Sequence, residues 1–427
     1  MASETAPFPF VRRGKLDADH TSVAKHMTSS HAIRTEESAQ EARTLTTISL
    51  VHLVSHFYWL ALVPLLPSLT TLLDASYLEL GLAITIMNAV SALIQAPVGF
   101  LVDRFGARLL LLTGALIGAL GFILLALVPT YAVLLFAAVL IGLGNCVYHP
   151  ADYSILSAEM SANRMGRAYS IHTFSGYLGF AVAPPIVLFF LWMGGPRFAL
   201  AAIGIAGLLL CLPLIPGLLR ERRQSRAPKP APSPKTSALA LMTGPVIALT
   251  VMFTLVNLST GMLQTYMVAA IADLLALPQS IGAAALTMFF FALVTGVLIG
   301  GFVADRASSV GIVTIGGFGL AAVFAFAIPV LSPGANVTLA LIGATGFCAG
   351  LIMPSRDLLV RKASPPDAVG RVFGIVTTGF NFGGMLSPLI GGALIDGRAP
   401  AWIFYGSASF MLITVATAIA IERRTVR

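Results

Sequence analysis

The chain has 427 residues, 57% hydrophobic and only 10% charged, with a formal net charge of +8. Soluble domains carry about 25% charged and about 45–50% apolar residues, so a water-soluble fold is excluded and lipid is the expected solvent. The positive residues lie between apolar runs rather than on one patch, which marks them as a topology signal and sets nucleic acid aside as a partner.

Residues 1–45 form a polar tail of mixed charge without an apolar core of signal-peptide length. His20, His26 and His31 fall in it, at spacings that suggest no metal site. Crossing about 30 Å of hydrocarbon takes about 20 apolar residues, and twelve segments are long enough. They are 46–72, 78–101, 109–128, 131–157, 165–191 and 196–219, then 242–269, 279–304, 310–331, 336–361, 369–394 and 399–421. Turn formers such as Gly194-Gly195-Pro196 and Ser332-Pro333-Gly334 sit between them. The expected fold class is an all-α membrane protein with twelve transmembrane helices in two six-helix bundles. The N-terminal bundle spans 46–219 and the C-terminal bundle 242–421, with a basic, proline-rich linker at 220–241 and a tail at 422–427.

Alternate loops share charge unequally. Of the 26 Lys and Arg residues, 24 fall on one side and only Arg197 and Arg398 on the other. Both termini and the linker are therefore expected in the cytoplasm, in a bacterial-type inner membrane. Cys146, Cys211 and Cys348 lie inside apolar segments and read as packing residues. No Walker loop, nucleophile elbow or metal-ligand spacing occurs, so neither an enzyme nor a bound metal or cofactor is expected.

An internal repeat is visible. Gly99-x-x-x-Asp103-Arg104 recurs at an offset of 202 as Gly301-x-x-x-Asp305-Arg306. Pro150 recurs as Pro354, Gly166-Arg167 as Gly370-Arg371, Gly179 as Gly383 and Pro184 as Pro388, all at an offset of 204. Two equivalent halves follow, as in parallel-repeat transporters.

With Gly99-Phe-Leu-Val-Asp103-Arg104-Phe-Gly106-Ala-Arg108 between spans two and three, the chain resembles the major facilitator superfamily over residues 46–421. Leu109 replaces a usual final basic residue of that signature, and the second copy is degenerate after Arg306. Gly142-Leu-Gly144-Asn-Cys-Val-Tyr-His149-Pro150-Ala-Asp152 and Ser175-Gly176-Tyr-Leu-Gly179 resemble the fosmidomycin-resistance-type branch of bacterial exporters. In span five Ala183-Pro184-Pro185 stands where the superfamily's antiporter signature has Gly-Pro. The resemblance implies a monomer whose halves rock, a pathway lined by spans one, four, seven and ten, and a latch that closes the inner side. Its residues are Gly99, Asp103, Arg104, Gly106 and Arg108 with Gly301, Asp305 and Arg306, Asp103 meeting the start of span eleven near Ala368 to Gly370. A solvated turn held by Gly106 is the plainer alternative.

Polar groups at membrane depth cost about 2.5–3.5 kcal/mol each when charged. Asn145, His149 and Asp152 follow i, i+4, i+7 spacing beside Tyr148. His149 and Asp152 form either a proton-coupling or substrate-orienting pair, or a helix contact and a rim residue. His52 and His56 lie one turn apart in span one and serve as ligands or as interhelical hydrogen bonders. His172, Tyr177, Asn257, Gln264, Tyr266 and Asn381 are weaker choices. Arg356 takes the repeat position of Asp152, to meet Asp152 or an anion, or to snorkel. Adjacent helical residues diverge, so Asp357 is expected to pair with Arg361 rather than Arg356. Phe289, Phe290 and Phe291 are expected to face lipid or core, and Pro184-Pro185 to kink span five.

The leading functional expectation is secondary active transport of a small organic molecule coupled to protons, outward. Inward symport of an organic anion and a non-transporting receptor or scaffold are the alternatives.

Overall fold

The computed structural model describes residues 16–161, 164–224, 241–306, 310–365 and 369–425. Regular structure in them is helical throughout. Span one comprises α1 (Leu16–Leu60), a tight turn at Val63–Leu65 and α2 (Leu66–Leu73). Spans two and three are α3 (Tyr77–Phe105) and α4 (Ala107–Leu127), and span four is α5 (Tyr131–Asn145) with α6 (Tyr148–Glu159). Spans five and six share α7 (Met165–Leu210), extended by α8 (Leu214–Gln224). Spans seven to nine are α9 (Gly244–Leu275), α10 (Gln279–Arg306) and α11 (Val310–Leu331). Span ten is α12 (Ala335–Leu351) with α13 (Met353–Ala363), and spans eleven and twelve are α14 (Val369–Asp396) and α15 (Ala401–Thr425).

Ten stretches among the described residues are long and apolar enough to cross a membrane. One of them, Ser170–Leu210, makes two crossings because Gly194 and Gly195 leave helical geometry inside α7, Gly195 at φ 76°. The expected kink at Pro184-Pro185 does not break the backbone, which stays helical there. α14 is less apolar than the others, with Thr377, Thr378, Asn381 and Ser387 along it, and with it the crossings among the described residues number twelve. Gly106 ends α3 and starts α4 at φ 91°, a value that disfavours any side chain.

Spans four and ten both break just ahead of repeat-related prolines, at Cys146–Val147 and at Ile352. Pro150 and Pro354 lack the N–H that would reach Cys146 and Gly350, and their rings press on those carbonyls. Close packing in the C-terminal half uses glycines on both partners. A Cβ on Gly296 or Gly300 would strike the Phe347 or Leu351 carbonyl, and one on Gly346 or Gly350 the Phe289 or Leu293 carbonyl. Phe289 and Phe290 are buried at that contact while Phe291 is exposed. Trp192 and Trp402 project outward near the end bearing the loops after odd-numbered spans, as interfacial aromatics do. That end is called distal below.

Candidate functional site

Within the N-terminal bundle, seven residues before the end of span four and seven after the start of span five, spans one, four and five bring their polar groups to one point. The Asp152 carboxylate is fully buried. Its Oδ2 lies 3.2 Å from His52 Nδ1 and 3.6 Å from His172 Nε2. The His52 ring stacks on His172 at 3.8 Å and sits 4.5 Å from His56 and 5.2 Å from His149, centroid to centroid. Tyr153 faces His149 at 6.2 Å and His172 at 5.7 Å, and Phe180 covers His56 at 4.3 Å. The chain has seven histidines; three lie in the tail, and the other four all meet here. Both Asp152 oxygens, both His172 nitrogens and the Nδ1 atoms of His52, His56 and His149 are buried without a hydrogen-bond partner. The His52–Asp152 pair is close enough for a hydrogen bond but is not aligned as one. A carboxylate left this way in a dry interior is costly unless a proton or cation joins it.

Glycines in span five create the meeting point. A Cβ on Gly176 would lie 2.6 Å from His52 Nε2 and 3.0 Å from His56 Cε1, and one on Gly179 would press on the Leu53 carbonyl. The Ser175-Gly176-x-x-Gly179 pattern thus lets span five lie flat against the two histidines of span one. Asp152 is turned away from the partner expected for it. Its nearest groups are His52 and His172, from other spans, rather than His149. Asn145 is engaged elsewhere, its side chain donating to Ser91 Oγ at 3.2 Å. Tyr148 is buried with an unpartnered hydroxyl.

Arg356 corrects one expectation. Its guanidinium is gripped between the rings of Phe253 and Phe380, at 4.3 and 4.9 Å. It donates from Nε and Nη2 to Asp357 Oδ1 at 3.0 and 2.8 Å. The Cβ atoms of neighbours do diverge, but the long arginine chain turns back, and the stacked rings hold its donor edge toward Asp357. Arg361, the partner expected for Asp357, lies outside the described side chains. The Tyr177 ring is 6.4 Å from His56, and Phe180, which covers His56, stacks on Phe290 of the C-terminal half at 5.0 Å. The two halves therefore approach each other beside the histidine cluster.

At the distal end the halves are tied directly. Asp396, at the end of span eleven, accepts from the Tyr77 and Leu78 backbone N–H groups at 2.9 and 2.7 Å. These are the first donors of α3, which have no partner within their own helix. Tyr266 donates to the carbonyls of Tyr77 and Pro388, both at 2.9 Å, Thr85 to that of Met385 at 2.8 Å, and Gln279 to that of Pro64 at 3.1 Å. Tyr266, a weaker choice from sequence, proves to be a fully buried part of this closure. Asn257 instead donates to the Phe380 carbonyl within its own half.

Comparison with known proteins supplies the family. The model of the Major Facilitator Superfamily matches residues 48–274 and 249–426. The chain belongs to that superfamily. Among relatives of this superfamily member, the fosmidomycin resistance protein of Escherichia coli (strain K12) is 30% identical over 151 residues. That match covers 34% of this chain and 37% of the relative, well under the relative's full length. The uncharacterized MFS-type transporter YfnC of Bacillus subtilis (strain 168) is 27% identical over 376 residues, 84% of this chain and 88% of that one. A bacterial homolog to the human lysosomal transporter Spinster, solved in an inward-facing and occupied conformation, superposes with a TM-score of 0.69 at 16% identity. It covers 90% of this chain and 97% of that one, and shows the shared fold.

Of the superfamily's loop signature, Gly99 and the Asp103, Asp305 and Arg306 side chains lie outside what the structure describes. Arg104 is exposed, its guanidinium 5.2 Å from the Phe105 ring. Arg108 is buried and grips Glu159, at the end of span four, through both carboxylate oxygens, at 2.6 and 2.8 Å. Thr44 donates to the same carboxylate at 2.8 Å, so Arg108 braces spans one, three and four inside one half. Gly301 faces open space. The side chains of His20, His26 and His31, and most of the linker, also lie outside what the structure describes.

Proposed function

We propose that this superfamily member exports a small organic molecule across the bacterial inner membrane by alternating access, in exchange for protons, with both termini in the cytoplasm. The observation that carries the coupling is Asp152, buried in the N-terminal bundle and enclosed by imidazoles with no hydrogen bond to its oxygens. A group so placed is stable only with a cation or proton beside it, and imidazoles are the side chains that exchange protons near neutral pH. The groups facing it are His52, His172, His149 and His56, with Tyr148 and Tyr153 around them. The charge asymmetry of the loops and the closed distal end together support an inward-facing state. Outward direction draws on the partial likeness to the fosmidomycin resistance protein.

Uptake of an organic anion is the second reading, and Arg356 favours it. A guanidinium held flat by two rings is a suitable anchor for a carboxylate or phosphoryl group.

The test uses inverted vesicles with an imposed pH gradient. Added substrate, found by a growth screen under overexpression, is expected to dissipate the gradient with the parent protein. Asp152→Asn and His149→Ala are expected to lose that response while still inserting in the membrane. Undiminished coupling in both removes the cluster from the proton path. Lower cellular accumulation of the substrate on deletion reverses the direction.

A further inference from the structure

We infer that His52, Asp152 and His172 form a binding site for one divalent transition-metal ion of the kind that accepts imidazole and carboxylate together, such as Zn²⁺ or Co²⁺. Spacing along the chain conceals this group, because its members come from three spans separated by up to 120 positions.

The geometry is that of a site awaiting an ion. One ligand atom from each residue can be chosen so that all three lie within 4.8 Å of one another. Bonds of about 2.0–2.1 Å in a tetrahedral shell put neighbouring ligand atoms about 3.3 Å apart. The observed 3.2 Å from His52 Nδ1 to Asp152 Oδ2 and 3.6 Å from His172 Nε2 to the same oxygen straddle that value. All three side chains are at least nine-tenths buried, and none of these ligand atoms has a hydrogen-bond partner. Buried polar atoms are almost always satisfied, and each that is not costs about 1–3 kcal/mol. A single cation at their centre would satisfy all three at once.

Ligand chemistry narrows the ion. Two imidazoles and one carboxylate suit zinc, cobalt, nickel or iron, whereas magnesium and calcium select shells built of oxygen. Three protein ligands leave a fourth position for water or a further ligand. His149 and His56, with rings 5.2 and 4.5 Å from that of His52, are the other imidazoles nearby. Occupancy displaces protons from the same nitrogens. The ion therefore competes with the coupling proposed above, and micromolar Zn²⁺ should block it. Metal binding itself stands on the geometry and not on that reading.

The experiment uses the untagged full-length protein in detergent, with His20, His26 and His31 changed to alanine so that the cluster holds every remaining histidine. Titration with Co²⁺ is expected to develop visible d–d absorption that saturates at one equivalent. His172→Ala, His52→Ala and Asp152→Asn should each weaken binding by at least about tenfold. Thermal unfolding checks that the variants fold: Zn²⁺ should raise the melting temperature of the parent and leave that of His172→Ala unmoved. Absence of saturable binding in the parent, or binding retained in all three variants, overturns the inference. Proton coupling is then measured in vesicles washed with chelator. No metal binding with coupling still lost in Asp152→Asn discards the metal and keeps the transport reading; metal binding with coupling intact in Asp152→Asn does the reverse.

Discussion

Asp396 offers a perturbation whose size follows from the coordinates. Its two oxygens accept from the Tyr77 and Leu78 N–H groups of α3, at 2.9 and 2.7 Å, across the boundary between halves. The rest of that helix start is served locally, since Ser76 accepts from Glu79 N and Glu79 from Ser76 N in a capping box. Asp396→Asn therefore leaves α3 capped but replaces one acceptor with an NH₂ facing a donor, and removes the charge at a helix N-terminus. A hydrogen bond to a charged group is worth about 1.5–3 kcal/mol when shielded, and the helix-end charge about 0.3–1 kcal/mol. Both bonds are exposed, so the low ends apply and the closed distal end loses about 1–2 kcal/mol. That is a shift of about 5- to 30-fold in the ratio of distally closed to distally open molecules.

The shift is read by spin labels at Thr71 and Asn336, exposed positions on opposite halves at the distal end. The three native cysteines, all buried, are replaced first. Pulsed electron–electron spectroscopy should give one short distance for the parent, with a second, longer population in Asp396→Asn that grows further in Asp396→Ala. If both variants keep the parent's distribution, the carboxylate does not hold this end closed and the energetic reasoning is wrong.

Two further outcomes separate packing from site chemistry. Gly176→Ala should push span five off His52 and His56, lowering the melting temperature and abolishing proton exchange, whereas Gly301→Ala, which faces open space, should leave both within error; thermal unfolding and vesicle pH assays decide. Arg356→Lys keeps the charge but loses the planar stack between Phe253 and Phe380, so affinity for an anionic substrate should fall at least about tenfold if that residue anchors it, and stay unchanged otherwise.

Sequence patterns reveal what depends on neighbours along the chain. Span lengths, the Gly106 turn and the paired prolines of spans four and ten are local, and the helices follow them to within a few residues, with span one starting earliest relative to expectation. The cluster is not local. Nothing near position 172 announces Asp152 or His52, so the sequence alone ranks His172 as one weak choice among several. The i, i+4, i+7 spacing joins Asn145 to His149 and Asp152, whereas in the fold Asn145 meets Ser91 and Asp152 meets His52 and His172. Asp396 has backbone N–H groups as partners, and these carry no side-chain signature. The divergence of neighbouring Cβ atoms separates Arg356 from Asp357, but a long arginine side chain clamped by two rings turns back to its neighbour.

The repeat gives these residues a shared logic. Asp152 and Arg356 occupy equivalent positions, each just past a proline-induced break in its span. The two halves nevertheless use these side chains differently. In the N-terminal half the charge is enclosed by imidazoles and is open to a proton or a metal ion. In the C-terminal half the opposite charge is fixed by Asp357 and two aromatic rings. The duplicated frame thus holds a negative group in one half and a positive group in the other at equivalent positions, each in surroundings suited to its own sign. Exchanging the signs, in an Asp152→Arg and Arg356→Asp double variant, should then abolish exchange even if the fold survives, because neither imidazoles nor aromatic rings would meet the charge they are built to surround.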